Sequence, residues 1–208
     1  MTTIRVPYGD GWQEAQIPDG VSVQVIDPAC EPVETPVEAL IEDALDHPIG
    51  TPRLEEMVSK QDKVAVIVND HTRSGPNAQL ADALMKRLEA AGVADEQICF
   101  VIATGSHRAS TTAELDKILG EKYRKRIRVR NHDCRDGDHV NIGTTQSGMP
   151  VWIDREVAES SFIITTGLIN PHATAGFSGG RKSIVPGVAG IETLHIHHSL
   201  PIRPFDPA

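Results

Sequence analysis

The run KVAVIVND, Lys63 to Asp70, decides the fold. Its apolar residues follow one another without polar alternation, the pattern of a strand covered on both faces, as in a parallel sheet. A second such run, QICFVIATG (Gln97 to Gly105), lies downstream. Between them NAQLADALMKRLEAAG (Asn77 to Gly92) carries helical periodicity and ends on a glycine. Strand, helix, strand in that order is a crossover unit. STTAELDKILG (Ser110 to Gly120) is a further helix with a capping box, Glu114 three residues after Thr111.

Outward from that centre, IRVRNHD reads as a third strand and SSFIITTGLIN (Ser160 to Asn170) as a fourth. A hairpin-like stretch, GTTQSGMPVWI, separates them, and SGGRKSIV and GIETLHIHHS read as closing helices. Upstream, Thr2 to Gly9 reads as a strand ending in a glycine turn. Pro18-Asp19-Gly20 reads as a turn before an alternating strand, Val21 to Ile26. Val37, Leu40, Ile41 and Leu45 form a helical stripe entered at Thr35-Pro36 and stopped at Pro48. The expectation is one layered α/β domain over residues 1–208, with a largely parallel sheet and helices on both faces. The proline-rich tail LPIRPFDPA supplies no closing element.

A formal net charge of −9 argues against a nucleic-acid or anionic-membrane surface, since phosphates reward clustered Lys and Arg. The basic run EKYRKRIRVR reads as a solvated helix end entering a strand. Cys30, Cys99 and Cys134 form no CxxC pair, which fits reduced thiols. No apolar run approaches membrane-spanning length, and the first residues lack the apolar core of a signal peptide. A soluble cytoplasmic protein is expected.

In open α/β sheets ligands collect beyond the carboxyl ends of the strands. Here those ends read NDHTRSGP, ATGSHRAS, RNHDCRD and GLINPHATAGFSGGRKS, each bearing ionisable residues beside Gly or Pro. The last nearly matches a phosphate loop, with Gly176 at the first glycine position and Lys182-Ser183 at the end, but fails it at Arg181, where the second glycine is required. Gly176, Gly179 and Gly180 still allow backbone N–H groups to approach an anion, steadied by Arg181 or Lys182. His107 and His172, on separate loops, are placed to trade protons with two faces of one small molecule. Arg73, three residues after Asp70, suits a carboxylate clamp. In LHIHHS, His195 and His198 fall on one helical face, and imidazoles at this spacing suit Ni, Cu, Zn or Fe. A hydrolase built on metal-bound water would need a carboxylate base that no motif supplies.

Taken together, NDHTRSGP, ATGSHR, RNHD and PHATAGFSGGRKSIVPGVAGIETLHIHHS resemble the nickel-pincer lactate racemase family, and YGDG, IPDG and ALDHPIG upstream fit it too. The resemblance implies racemisation or epimerisation of a small 2-hydroxy acid. It implies a cofactor, a nickel-pincer mononucleotide supplied by cofactor-biosynthesis enzymes and joined covalently to Lys182. By the same resemblance His198 binds nickel, His107 and His172 are the acid/base pair, and Arg73 holds the substrate carboxylate. Asp70 and Thr72 line the cofactor, and the glycine loop takes its phosphate. Two positions depart from the family's pattern. His197 replaces the asparagine common before the nickel histidine, leaving His197 and His198 as competing ligands, and Thr72-Arg73-Ser74 replaces a Thr-Arg-Pro turn. Members run to about twice this length, so a second α/β domain outside these residues is expected, and apolar surface meant for it could drive self-association. The alternative is a phosphate- or nucleotide-binding domain without catalysis.

Overall fold

In the computed structural model, residues 2–9, 11–26, 33–172 and 175–199 are described. Cys30 and the tail from Leu200 lie outside them. Contacts divide the chain into two compact units, Met1–Glu34 and Thr35–Ala208.

The first unit is a hairpin of β1 (Thr2–Tyr8) and β2 (Gly11–Ile17), paired antiparallel from Thr2↔Ile17 to Tyr8↔Gly11. Arg5 lies 5.3 Å from the Trp12 ring centroid and 3.3 Å from the Glu14 carboxylate. The strand β2 is not apparent in the sequence, because GWQEAQI has no clean apolar alternation; pairing with β1 makes it a strand. Conversely, Val21 to Ile26 forms no strand despite its alternation. A period-two pattern needs a neighbouring edge to become a ladder, and β1 already pairs with β2.

The second unit contains α1 (Val37–Asp46), α2 (Leu54–Met57), β3 (Val64–Asn69), α3 (Asn77–Ala90), β4 (Ile98–Ala103), α4 (Thr112–Arg126) and β5 (Arg128–Asn131). It continues through β6 (His139–Thr144), β7 (Pro150–Asp154), α5 (Arg155–Ala158), β8 (Phe162–Thr165), β9 (Pro171–His172), β10 (Gly176–Phe177) and α6 (Ile191–His197). The central sheet has the order β5-β4-β3-β8, and every pairing in it is parallel. β6–β7 and β9–β10 are small antiparallel pairs.

The apolar runs are continuous because both faces are covered. Val64, Val66, Val68, Ile98, Phe100 and Ile102 point into one core with Leu84, Met85 and Leu88 of α3 and Ile118, Leu119 and Tyr123 of α4. Ala65, Ile67, Cys99 and Val101 point the other way, against Ile153, Val157, Val188, Ala189 and Leu194. Successive strand residues face opposite sides, so one run serves two cores. Burial pushes the Cys99 thiol up to about 11 and raises that of Cys134, so both are poor nucleophiles in the folded chain. Arg87 on α3 fastens α1 and α2 by donating to Glu42, Asp46 and Glu55 at 2.7, 2.8 and 3.1 Å.

Two local readings change. Thr111 caps α4 with Glu114 as expected, but Gly120 does not end it. With φ at 75° it interrupts the helix, which resumes to Arg126. SGGRKSIV is not an α-helix; it is a single 3-10 turn, Gly180–Ser183. Gly179 (φ 75°) and Gly180 (φ 50°) both adopt left-handed backbone there, leaving no run of helical residues for a longer helix. Among the described residues no helix is long and apolar enough to cross a membrane.

Candidate functional site

The chain runs β3, β4, β5 in one direction and then places β8 on the opposite side of β3. The strand order therefore reverses between β3 and β8, and loops from the two sides part at their carboxyl ends. A crevice is expected at such a point. One is found there, a cleft of about 180 Å³. Its walls come from Asn69, Asp70 and Arg73 after β3, from Thr104 to His107 after β4, and from Leu168, His172, Ala175 and Ser178 to Gly179 after β8. Lys182, Gly187, Leu194, His197 and His198 close it.

Asp70 is buried at 2% exposure and organises the first wall. Its Oδ1 accepts from the Thr72 backbone N–H (3.2 Å) and hydroxyl (2.6 Å), while Oδ2 lies 2.7 Å from His107 Nδ1. A carboxylate only accepts, so His107 presents Nδ1–H to it and turns Nε2 outward. The Arg73 N–H donates to the Asp70 carbonyl at 3.2 Å, the tight turn expected from the sequence. On the facing wall the Ala175 N–H donates to His172 Nδ1 at 3.3 Å.

The lysine loop is held by short backbone ties. Ser178 N–H donates to the Asn170 carbonyl and Lys182 N–H to the Gly179 carbonyl, at 2.9 and 3.1 Å. Gly187 returns the chain against β4: the Gly105 N–H donates to its carbonyl at 2.9 Å, and a Cβ on Gly187 would stand 2.3 Å from the Ser183 carbonyl oxygen. Only glycine fits. Lys182 is half-buried, and desolvation first, then the nearby Arg73 charge, hold its amine below the ordinary lysine value of 10.5, with Asp70 opposing. A lowered amine is a better nucleophile near neutral pH. Trace acetylation with acetic anhydride, read at each lysine by mass spectrometry, is expected to give Lys182 a titration midpoint below 10.5. A midpoint at or above the ordinary lysine value would refute that reading.

α6 ends at His197, and His198 is its C-cap, with φ −93° and ψ 0°. His198 still donates its N–H to the Leu194 carbonyl at 3.0 Å, and it lines the cleft with His197, whereas exposed His195 does not. His198 Nδ1 lies 2.9 Å from the Leu194 carbonyl, which accepts its proton and leaves Nε2 for a ligand. The rings of His197 and His198 stand 5.0 Å apart, edge to face.

Of the other sequence candidates, Gly179 lines the cleft, while Gly176, Gly180, Arg181 and Thr72 lie outside its lining. Arg181 is exposed, and Thr72 acts through Asp70. A one-turn 3-10 segment also carries little of the dipole that makes a long helix start attractive to anions. RNHD, loaded like the other strand ends, serves the core instead. His132 is 1% exposed and lies 2.9 Å from Asp154 Oδ2 through Nδ1 and 3.0 Å from the Ala189 carbonyl through Nε2. Gly187 and Leu194 do not stand out in the sequence; for Gly187 the only signal is a glycine beside a proline.

No set of three or more His, Cys, Asp or Glu among the described residues is disposed to hold a metal. A metal in this cleft would need donors beyond the described His, Cys, Asp and Glu side chains.

The sequence pattern of the lactate racemase N-terminal domain matches residues 8–205. The chain is 32% identical over 205 residues to the lactate racemase of Thermoanaerobacterium thermosaccharolyticum and 35% identical over 202 residues to that of Lactiplantibacillus plantarum. These alignments cover 95% and 96% of this chain but 47% of each relative, so the chain spans about half their length. Among solved structures, the lactate racemase apoprotein of T. thermosaccharolyticum superposes with a TM-score of 0.75 at 31% identity, over 91% of this chain and 44% of that one. A Thermotoga maritima protein superposes at 0.65 with 27% identity, over 77% and 40%.

Proposed function

We propose, from the premise that this chain belongs to the lactate racemase N-terminal domain family, that it is the half of a 2-hydroxy acid racemase or epimerase that carries the cofactor. The supporting observation is the convergence of Lys182, His198, His107, His172 and Arg73 on one cleft at the strand-order reversal. Lys182 would join the nickel-pincer mononucleotide covalently, with His198, or His197 beside it, as the protein ligand to nickel. When bound, that group supplies a reversible acceptor for the C2 hydrogen with its electron pair.

The chain's own residues do the rest. Arg73 offers a guanidinium to the substrate carboxylate, fixing the acid by two parallel hydrogen bonds. His107 Nε2 is positioned by Asp70 to take the hydroxyl proton, and the imidazolium formed is stabilised by the Asp70 carboxylate. His172, on the facing wall, addresses the same oxygen when the opposite face of C2 is presented. Leu168 and Leu194 supply apolar wall that limits water. A second domain closing over the cleft is part of this proposal.

The test is lactate turnover by the full-length protein produced with the cofactor pathway. His107→Ala and His172→Ala are each expected to lower kcat by about 10²- to 10⁴-fold, the range of a general acid or base. Unchanged turnover in either variant would remove that histidine from the chemistry.

A further inference from the structure

Two cations face the cleft without a counter-ion. Elsewhere in the chain Arg87, Arg126, Arg128 and Arg130 each sit against carboxylates. Arg73 and Lys182 make no side-chain ion pair or hydrogen bond among the described residues, although both are half-buried and line one cleft. They are close enough for the Arg73 charge to act on the Lys182 amine. Half-buried charges left unpaired in a chain of net charge −9 mark a place that suits an anion. The two groups differ in what they can do with one. A guanidinium stays protonated and grips a carboxylate by two parallel hydrogen bonds, whereas a desolvated amine beside another cation can attack a carbonyl. A 2-keto acid answers both groups with adjacent atoms, its carboxylate for Arg73 and its carbonyl for the amine. We propose that Lys182, when it carries no cofactor, reversibly forms an imine with a small 2-keto acid whose carboxylate is held by Arg73. This chemistry stands on the two cations of the cleft and not on the racemase reading.

The step balances without any change of oxidation state. Neutral Lys182 Nζ adds to the C2 carbonyl, and a proton moves from nitrogen to oxygen to give a carbinolamine. A second proton on that oxygen lets it leave as water while the nitrogen lone pair closes the C=N bond. The iminium nitrogen then releases a proton, so amine and keto acid become imine and water. His107 lines the same cleft, and with Nδ1 against Asp70 its Nε2 is turned out to carry these protons. Because one amine serves both, a keto acid and the cofactor exclude each other at Lys182.

The test uses the 208-residue chain produced without the cofactor pathway. It is incubated with pyruvate and reduced with cyanoborohydride, which adds hydride to the imine carbon and fixes a secondary amine. Peptide mapping is expected to find Lys182 modified at least tenfold faster than exposed Lys60 and Lys117. Acetone, which has the carbonyl but no carboxylate, should show no such preference for Lys182 over them. In Arg73→Ala the ratio of pyruvate to acetone labelling at Lys182 is expected to fall about tenfold or more, the weight of a charged hydrogen bond. Taking the ratio cancels the change in amine reactivity that loss of the Arg73 charge brings. Lys182 labelled no faster than Lys60 and Lys117, or pyruvate bound without an adduct, would overturn the proposal whether or not the variant folds. An unchanged ratio in a folded Arg73→Ala would overturn the carboxylate clamp. No cofactor is present, so a failure here leaves the racemase reading standing, and an inactive holoenzyme leaves the imine standing.

Discussion

Replacing Lys182 by alanine is expected to abolish the covalent adduct and to lower turnover of the full-length protein by at least about a thousandfold, the upper part of what one essential group contributes. The expectation follows from place and from chemistry. Lys182 is the cleft's amine, carried on a turn whose carbonyl and N–H groups are tied to Gly179 and Gly187. Burial and Arg73 lower its proton affinity, so the neutral nucleophile is more available than on an exposed lysine. Lys182→Arg keeps the charge and stem but cannot form the same bond, and is expected to be equally unmodified. Intact mass after co-production with the cofactor pathway checks both variants; an adduct on either would place the attachment elsewhere.

The second large effect concerns the frame behind the cleft. Asp154→Ala is expected to lower the unfolding free energy by about 3–5 kcal/mol, the usual result of stripping one partner from a buried ionic cluster. Asp154 is fully buried. It accepts from Arg130 Nε at 2.8 and 3.0 Å, from the Glu156 N–H at 3.0 Å and pairs with His132 at 2.9 Å. Removing it strips Arg130 of its buried carboxylate, leaving the more exposed Asp136 and Asp138, and takes the acceptor from the buried His132 Nδ1. For a chain of this size the thermal midpoint should fall by roughly 6–20 °C. Burial on its own would raise this carboxyl, but the bonds from His132 and Arg130 outweigh it and hold it below its ordinary value of 3.8. A group lowered in the folded state stabilises above its unfolded value and loses that contribution as pH falls through the folded one. The gap between the parent and Asp154→Ala should thus be full near neutrality and shrink below about pH 4. A constant gap down to acid pH, followed by denaturant unfolding, would contradict the assignment.

That cluster marks the limit of what residue type reveals. The sheet was legible because KVAVIVND and QICFVIATG are short, uninterrupted apolar runs rich in β-branched residues, as a strand covered on both faces requires. The cleft loops were legible because strand ends at an order reversal gather ligand-binding groups, and the motifs of the family sit on them. RNHD looked the same in composition, yet β6, β7 and the chain before α6 fold over it and turn His132 into a core residue. Such burial is set by elements distant in sequence, so local composition could not reveal it. His195 and His198 do not serve the cleft as a pair, because His198 lines it beside His197 while His195 stays exposed. β2 escaped because its pairing with β1, not its pattern, makes it a strand.

If Lys182 and the α6 histidines hold one metal-bearing nucleotide, peptide mapping with metal analysis of the chain co-produced with the cofactor pathway will reveal it. An adduct mapped to Lys182 and nickel retained in equal amount are expected, with the nickel lost in a His197→Ala, His198→Ala double variant that keeps the adduct. Unmodified Lys182 with no bound nickel under those conditions would contradict it.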